Sequence, residues 1–222
     1  MAILHWLDKA GSTNLTDEAG PNVDYWDVDG NSNFAKVTST QLSDGSSINV
    51  RSFPQYVDSA GGETFSTDST LKIYSGGVDD NTSGPTFDAT SLCVEFGDPT
   101  DVSIPVATDL SFRINGIGGD GSVGDDILVV RAYDGFGNEV TITPTLGANV
   151  TYNSGADEYI AGSDLGYTTT ANTSVLYEVA GPVAKIEVIY SNQQTPSALA
   201  FLNVTDMHFD LIQPEVDHFR FP

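Results

Sequence analysis

Positive charge is scarce in this chain: eight Lys and Arg stand against thirty-one Asp and Glu, for a formal net charge of −23 over 222 residues. The eight cations (Lys9, Lys36, Lys72, Lys185, Arg51, Arg113, Arg131 and Arg220) form no cluster. Nucleic acid is excluded as a partner, because binding it needs grouped Lys and Arg to displace counterions. An anionic membrane surface is excluded on the same ground. Cysteine is almost absent, with Cys93 alone, so no intrachain disulfide can form. No apolar run approaches the roughly 20 residues of a membrane-spanning helix. The start, Met1-Ala2-Ile3-Leu4-His5-Trp6-Leu7, has no basic leader and meets Asp8 early, so the expectation is a chain without a Sec signal peptide. Histidine is limited to His5, His208 and His218, with no metal-binding His-Glu-x-x-His spacing, and no Gly-x-Ser-x-Gly elbow occurs. Helical periodicity is missing too, since no ten-residue segment repeats its apolar positions at 3.6.

Alternation at period two is present instead, and it marks half-buried strands. Leu92, Val94 and Phe96 share one face, as do Leu110, Phe112 and Ile114, which turns Ser111 and Arg113 outward. Residues 127–133 continue the pattern into the turn Asp134-Gly135-Phe136-Gly137-Asn138 and on to Val140 and Ile142, which reads as a hairpin. Residues 175–179 and 183–190 flank Gly181-Pro182, and Met207, Phe209 and Leu211 alternate with Asp206, His208 and Asp210. Hydrophobic residues make up 39% of the chain, enough for a continuous core. The expected fold is an all-β antiparallel sandwich or jelly roll in one domain over 1–222, with a less regular part over 1–65 and core strands over 66–213. The apolar ends, Ala2 to Leu7 and His218 to Phe221, are expected to dock onto this chain or onto a neighbour, with self-assembly or particle contacts favoured.

Two loops offer oxygen ligands. Asp27, Asp29, Asn31 and Asn33 alternate with small residues, at the spacing that wraps a loop around Ca²⁺, although Asx turns account for the same residues. Gly118 to Asp126 carries a G-x-G-x-x-G pattern that a strand follows, which removes dinucleotide binding because the pyrophosphate needs a helix N-terminus. Asp120, Asp125 and Asp126 remain there as calcium candidates beside the plainer reading of an acidic hairpin loop. Flat aromatic rings next to Asp or Asn are the other means of holding a sugar, because a ring stacks on a pyranose face while the carboxylate accepts its hydroxyls. Tyr25, Trp26, Tyr152, Tyr159 and Tyr167 have this setting, and His208 between Asp206 and Asp210 is a further ligand-binding candidate.

Over residues 94–211 the order of signals resembles the calcium-associated β-sandwich modules of large secreted proteins of marine bacteria, which are similar to carbohydrate-binding jelly rolls. The residues that carry it are 109–114, 126–138 with Asp134-Gly135-Phe136-Gly137-Asn138, 181–190 from Gly181-Pro182, and 204–210. The resemblance implies a sandwich that binds glycans or surfaces and seldom catalyses, with structural Ca²⁺. Asn115-Gly116-Ile117-Gly118 departs from the acidic residues those modules carry. The expected function is therefore an exterior binding module for polysaccharide or another surface polymer. A phage or virion structural protein, such as a capsid decoration, head spike or tail component, is the alternative, and a polysaccharide-active enzyme comes third. The corresponding locations are extracellular or on a virion surface.

Overall fold

The computed structural model describes residues 1–6, 22–28, 34–41, 47–51, 63–66, 69–75, 88–97, 106–118, 126–161, 171–192 and 200–212. Sixteen strands follow one another: β1 (Ala2–Leu4), β2 (Asn22–Asp27), β3 (Phe34–Gln41), β4 (Ser47–Arg51), β5 (Thr70–Ser75), β6 (Asp88–Gly97), β7 (Val106–Asn115) and β8 (Asp126–Tyr133), then β9 (Glu139–Val140), β10 (Thr143–Leu146), β11 (Val150–Asn153), β12 (Glu158–Ala161), β13 (Ser174–Val179), β14 (Lys185–Asn192), β15 (Ala200–Thr205) and β16 (Met207–Ile212). No α-helix occurs among the described residues. All the pairings are antiparallel and divide the strands into two eight-stranded sheets. The first sheet holds β1, β16, β7, β15, β5 and β4, with β13 and β10 extending from β7. The second runs β11-β12-β8-β14-β6-β3-β2, with β9 also on β8.

Alternation decides which side of each strand is buried. In β8 the pattern is strict: Leu128, Val130 and Ala132 are buried and Val129, Arg131 and Tyr133 are half-buried on the opposite face. Phe112 between Leu110 and Ile114 has no exposure, as the pattern of β7 requires. Aromatic pairs then lock the layers together across the core. Phe96 of the second sheet meets Phe209 of the first at 4.7 Å between ring centroids, and Tyr159 meets Tyr177 edge-on at 5.3 Å. Edge-to-face geometry places the positive ring edge on the partner's negative face, which adds to the area buried.

Three features differ from the sequence reading. Arg113, read as facing solvent, does project from the outer face of the first sheet but is only 4% exposed. Residues from far along the chain meet it there: its guanidinium pairs with Glu63 and donates to Ser174 Oγ at 2.7 Å. The segment after Asp134-Gly135-Phe136-Gly137-Asn138 is not one returning strand. Only Glu139 and Val140 pair back onto Tyr133 and Ala132, after which the chain crosses at Thr141 and Ile142 and pairs as β10 with β13 in the other sheet. Lastly, the N-terminal apolar run belongs to this chain's own core. Ala2, Ile3 and Leu4 pair with Phe209, His208 and Met207, and Leu4 and Trp6 are fully buried. Trp6 donates its backbone N–H to Asp206 Oδ1 at 3.1 Å and its indole N–H to the Thr205 carbonyl at 2.8 Å. That burial commits Leu4 and Trp6 to this chain's own core, while Met1 remains 82% exposed. The end His218 to Phe221 lies outside the described residues.

Candidate functional site

The crossing at Thr141 and Ile142 opens the molecule at one edge. β12 pairs with β8 at Ile127 and Leu128, and β9 pairs with the same side of β8 at Ala132 and Tyr133. Between them is a cleft of about 430 Å³. Val130 forms its floor, Val140, Ile142 and Pro144 one wall, and Tyr152, Tyr159 and Asp157 the other, with Glu139 and Thr141 also on the rim.

The β11–β12 hairpin builds the aromatic wall. Its register sets Tyr152 opposite Tyr159, and Asn153 opposite Glu158, around the four-residue turn 154–157. Asn153 Oδ1 accepts the Gly155 N–H at 3.2 Å, an Asx turn that starts the reversal. Asp157 closes it at φ 60°, a left-handed conformation that Asp tolerates better than most side chains. Directly opposed residues share a face of the sheet, so the two rings lie together, 5.0 Å apart and inclined by 38°. Tyr159 is 5% exposed and edges onto Tyr177 beneath it, whereas Tyr152 remains 41% exposed at the mouth. One ring is anchored in the core and the other is offered to solvent.

The same turn fixes the charge. Tyr152 Oη donates to Asp157 Oδ1 at 2.7 Å, and Arg131 Nε lies 3.6 Å from Asp157 Oδ2. This bond to Asp157 raises the Tyr152 phenol above its ordinary value, and the nearby charge of Glu139 adds to the effect. Burial pushes Tyr159 up to about 12. Both phenols are neutral at physiological pH, and the Tyr152 proton is committed to Asp157. The polar lining therefore holds three groups that meet a ligand as acceptors, the Tyr152 oxygen and the Asp157 and Glu139 carboxylates, beside the Thr141 and Tyr159 hydroxyls, which can also donate.

Of the residues proposed from sequence, Tyr152 and Tyr159 are brought together here. Tyr25 is 39% exposed but stands on the outer face of the second sheet, opposite Lys36. Trp26 is a core residue at 2% exposure, edge-on to Trp6 at 5.8 Å, because β2 turns Tyr25 outward and Trp26 inward. His208 is 8% exposed rather than solvated, since Phe65 covers it at 4.9 Å, and this burial lowers its pKa. Asp126 is 3% exposed, with its carboxylate accepting from Tyr190 Oη at 2.6 Å and from the Gly118 N–H at 3.1 Å. Asp27 is exposed at the end of β2. Asp29, Asn31, Asn33, Asp120, Asp125 and Tyr167 lie outside the described residues. Among the described residues no group of three or more His, Cys, Asp or Glu is arranged to hold a metal ion. Glu139, Asp157 and the apolar wall were missed in the sequence reading. A signal for Asp157 does exist there: Asn153-Ser154-Gly155-Ala156-Asp157 is a turn cluster between two tyrosines, which pairs them across a hairpin.

No protein-family model matches the chain, and no curated protein matches it.

Proposed function

We propose that this chain is a non-catalytic exterior binding module that holds a polysaccharide, or another surface polymer rich in hydroxyls, in the cleft beside Tyr152. The observation that carries the reading is the paired Tyr152 and Tyr159 rings with Asp157 hydrogen-bonded at their edge. A ring offered at the mouth of an open cleft stacks on a pyranose face, and acceptors fixed beside it take the sugar hydroxyls. Preorganisation supports this use, because the Asx turn and the Tyr152–Asp157 bond hold the acceptors before a ligand arrives. Turnover has less support. Glu139 is exposed, and Asp157 is already engaged by Tyr152 and Arg131, so neither has the apolar shell that glycoside hydrolysis needs around its acid.

A glycan array followed by calorimetry tests the reading. The intact chain should bind at least one glycan without releasing product, and Tyr152→Ala should lose that binding while its melting curve is retained. Absence of any glycan ligand, or binding unchanged in Tyr152→Ala, would overturn it. Calcium as structural support rests on the Asp27 and Gly118 to Asp126 loops as sequences. A higher thermal midpoint in Ca²⁺ than in chelator is expected, since a ligand of the folded state stabilises it by mass action, and equal curves would remove it.

A further inference from the structure

We infer that the cleft prefers saccharides that carry a protonated amine, an inference that rests on the sugar-binding reading above. The argument is one of donors and acceptors. The lining holds two carboxylates, Glu139 and Asp157, and no Lys or Arg. The nearby cation, Arg131, lies against Asp157 Oδ2 at 3.6 Å and so is matched to one of those carboxylates. Tyr152 spends its proton on Asp157 and meets a ligand as an acceptor. Carboxylates take only donors, so the cleft favours a donating ligand, and an ammonium group supplies three donors and a charge at one atom. The exposed Tyr152 ring, backed by Tyr159 at 5.0 Å, adds a π face that attracts a cation within about 6 Å of its centroid.

Charge on the rest of the molecule points the same way. At −23 the protein repels uronates and sulfated sugars at long range, and the cleft has no cation in its lining to reverse that locally. N-acetylation of the amine removes the charge and leaves a single donor, so the acetylated polymer falls among the neutral ligands. Glu139 is the carboxylate left to meet the ammonium, since Asp157 already has two partners. The wall of Val140, Ile142 and Pro144 supplies apolar contact for the ring carbons of the sugar.

The test is calorimetry at physiological ionic strength with four hexasaccharides: glucosamine, N-acetylglucosamine, cellohexaose and galacturonate. The glucosamine oligomer should bind about tenfold more tightly than cellohexaose, as one favourable ammonium contact of this kind gives. The galacturonate oligomer should bind least. Glu139→Gln should bring the glucosamine and cellohexaose affinities to within about threefold of each other, and Tyr152→Ala should lose both. Because any strongly acidic protein attracts a polycation, Tyr152→Ala is the control at unchanged net charge. Glucosamine binding that survives in it would overturn the proposal. Equal wild-type affinity for cellohexaose and glucosamine, or tightest binding of galacturonate, would overturn the charge preference while leaving the sugar-binding reading intact. Failure of all four to bind would overturn both.

Discussion

Tyr152 donates its phenolic O–H to Asp157 Oδ1 at 2.7 Å, and the two residues stand at opposite ends of the six-residue stretch 152–157. The bond turns a donor into an acceptor, which gives the cleft its chemical character. It also makes a direct forecast. In Asp157→Asn the carboxylate that favours the protonated phenol is gone, so Tyr152 should titrate at lower pH, toward the ordinary tyrosine value near 10. Carbon-13 NMR of labelled tyrosine follows the ring individually, and an unchanged midpoint would show that the bond is not formed in solution.

Phe112 stacks on Tyr177 with 5.2 Å between centroids, at zero exposure, in the middle of the first sheet. Phe112→Ala should destabilise the fold by about 3–5 kcal/mol through lost burial and the cavity left behind. Urea unfolding measures it. A loss below about 1 kcal/mol would mean that the ring is not in the core.

Much of the fold class was legible because alternation is a local signal. The two-residue period of 92–96 and 110–114 marked both the strands and their inner faces, whereas the apolar run 127–130 marked a strand without saying which side is buried. Periodicity reports which side a residue faces, however, and not whether that side is covered. Arg113 faces outward as its place in the alternation requires, yet it is 4% exposed because Glu63, fifty residues earlier, covers it. His208, a ligand-binding candidate by its neighbours in sequence, is covered in the same way by Phe65. The cleft was hidden for a related reason. Its opening depends on β12 and β9 pairing with different stretches of β8, a long-range arrangement that no window of sequence displays.

The Arg113–Glu63 pair gives a sharp energetic test. Both side chains are almost wholly buried, at 5% and 10% exposure, so removing one partner strands the other charge away from water. Glu63→Gln or Arg113→Met alone should cost about 3–5 kcal/mol. The double variant should cost clearly less than the sum, because no unpaired charge remains. Strict additivity in a double-mutant cycle would show that the two groups do not interact.

Alkaline stability should depend on Cys93. Burial pushes its thiol from 9.0 to about 11, so the folded state keeps a proton that the unfolded state has released. The group's contribution is therefore complete below pH 9 and is lost as pH rises toward 11. At roughly 1.4 kcal/mol per unit, discounted for partial exposure, the loss is on the order of 2 kcal/mol. Cys93→Ala should flatten the stability curve across that window, leaving the fall that belongs to Tyr159 above pH 10. A wild-type curve already flat between pH 9 and 11 would contradict it.

The last prediction concerns the first six residues. Leu4 and Trp6 are fully buried, the Trp6 backbone and indole N–H groups reach Asp206 and Thr205 about two hundred residues away, and Trp26 donates its indole N–H to the Trp6 carbonyl at 3.4 Å. Removing this strand exposes the side of β16 that β1 covers and leaves the 1%-exposed Asp206 carboxylate without the Trp6 amide. An assembly arm would behave otherwise, since its loss abolishes association and spares the monomer. Trp6→Ala should lower stability by about 3–5 kcal/mol through lost aromatic burial, and deletion of residues 1–6 should cost at least as much. Light scattering on the intact chain together with unfolding of both variants distinguishes the two roles. A truncated chain that melts at the wild-type temperature, with a smaller assembly than the intact chain, would show that the N-terminal strand serves a neighbour rather than its own core.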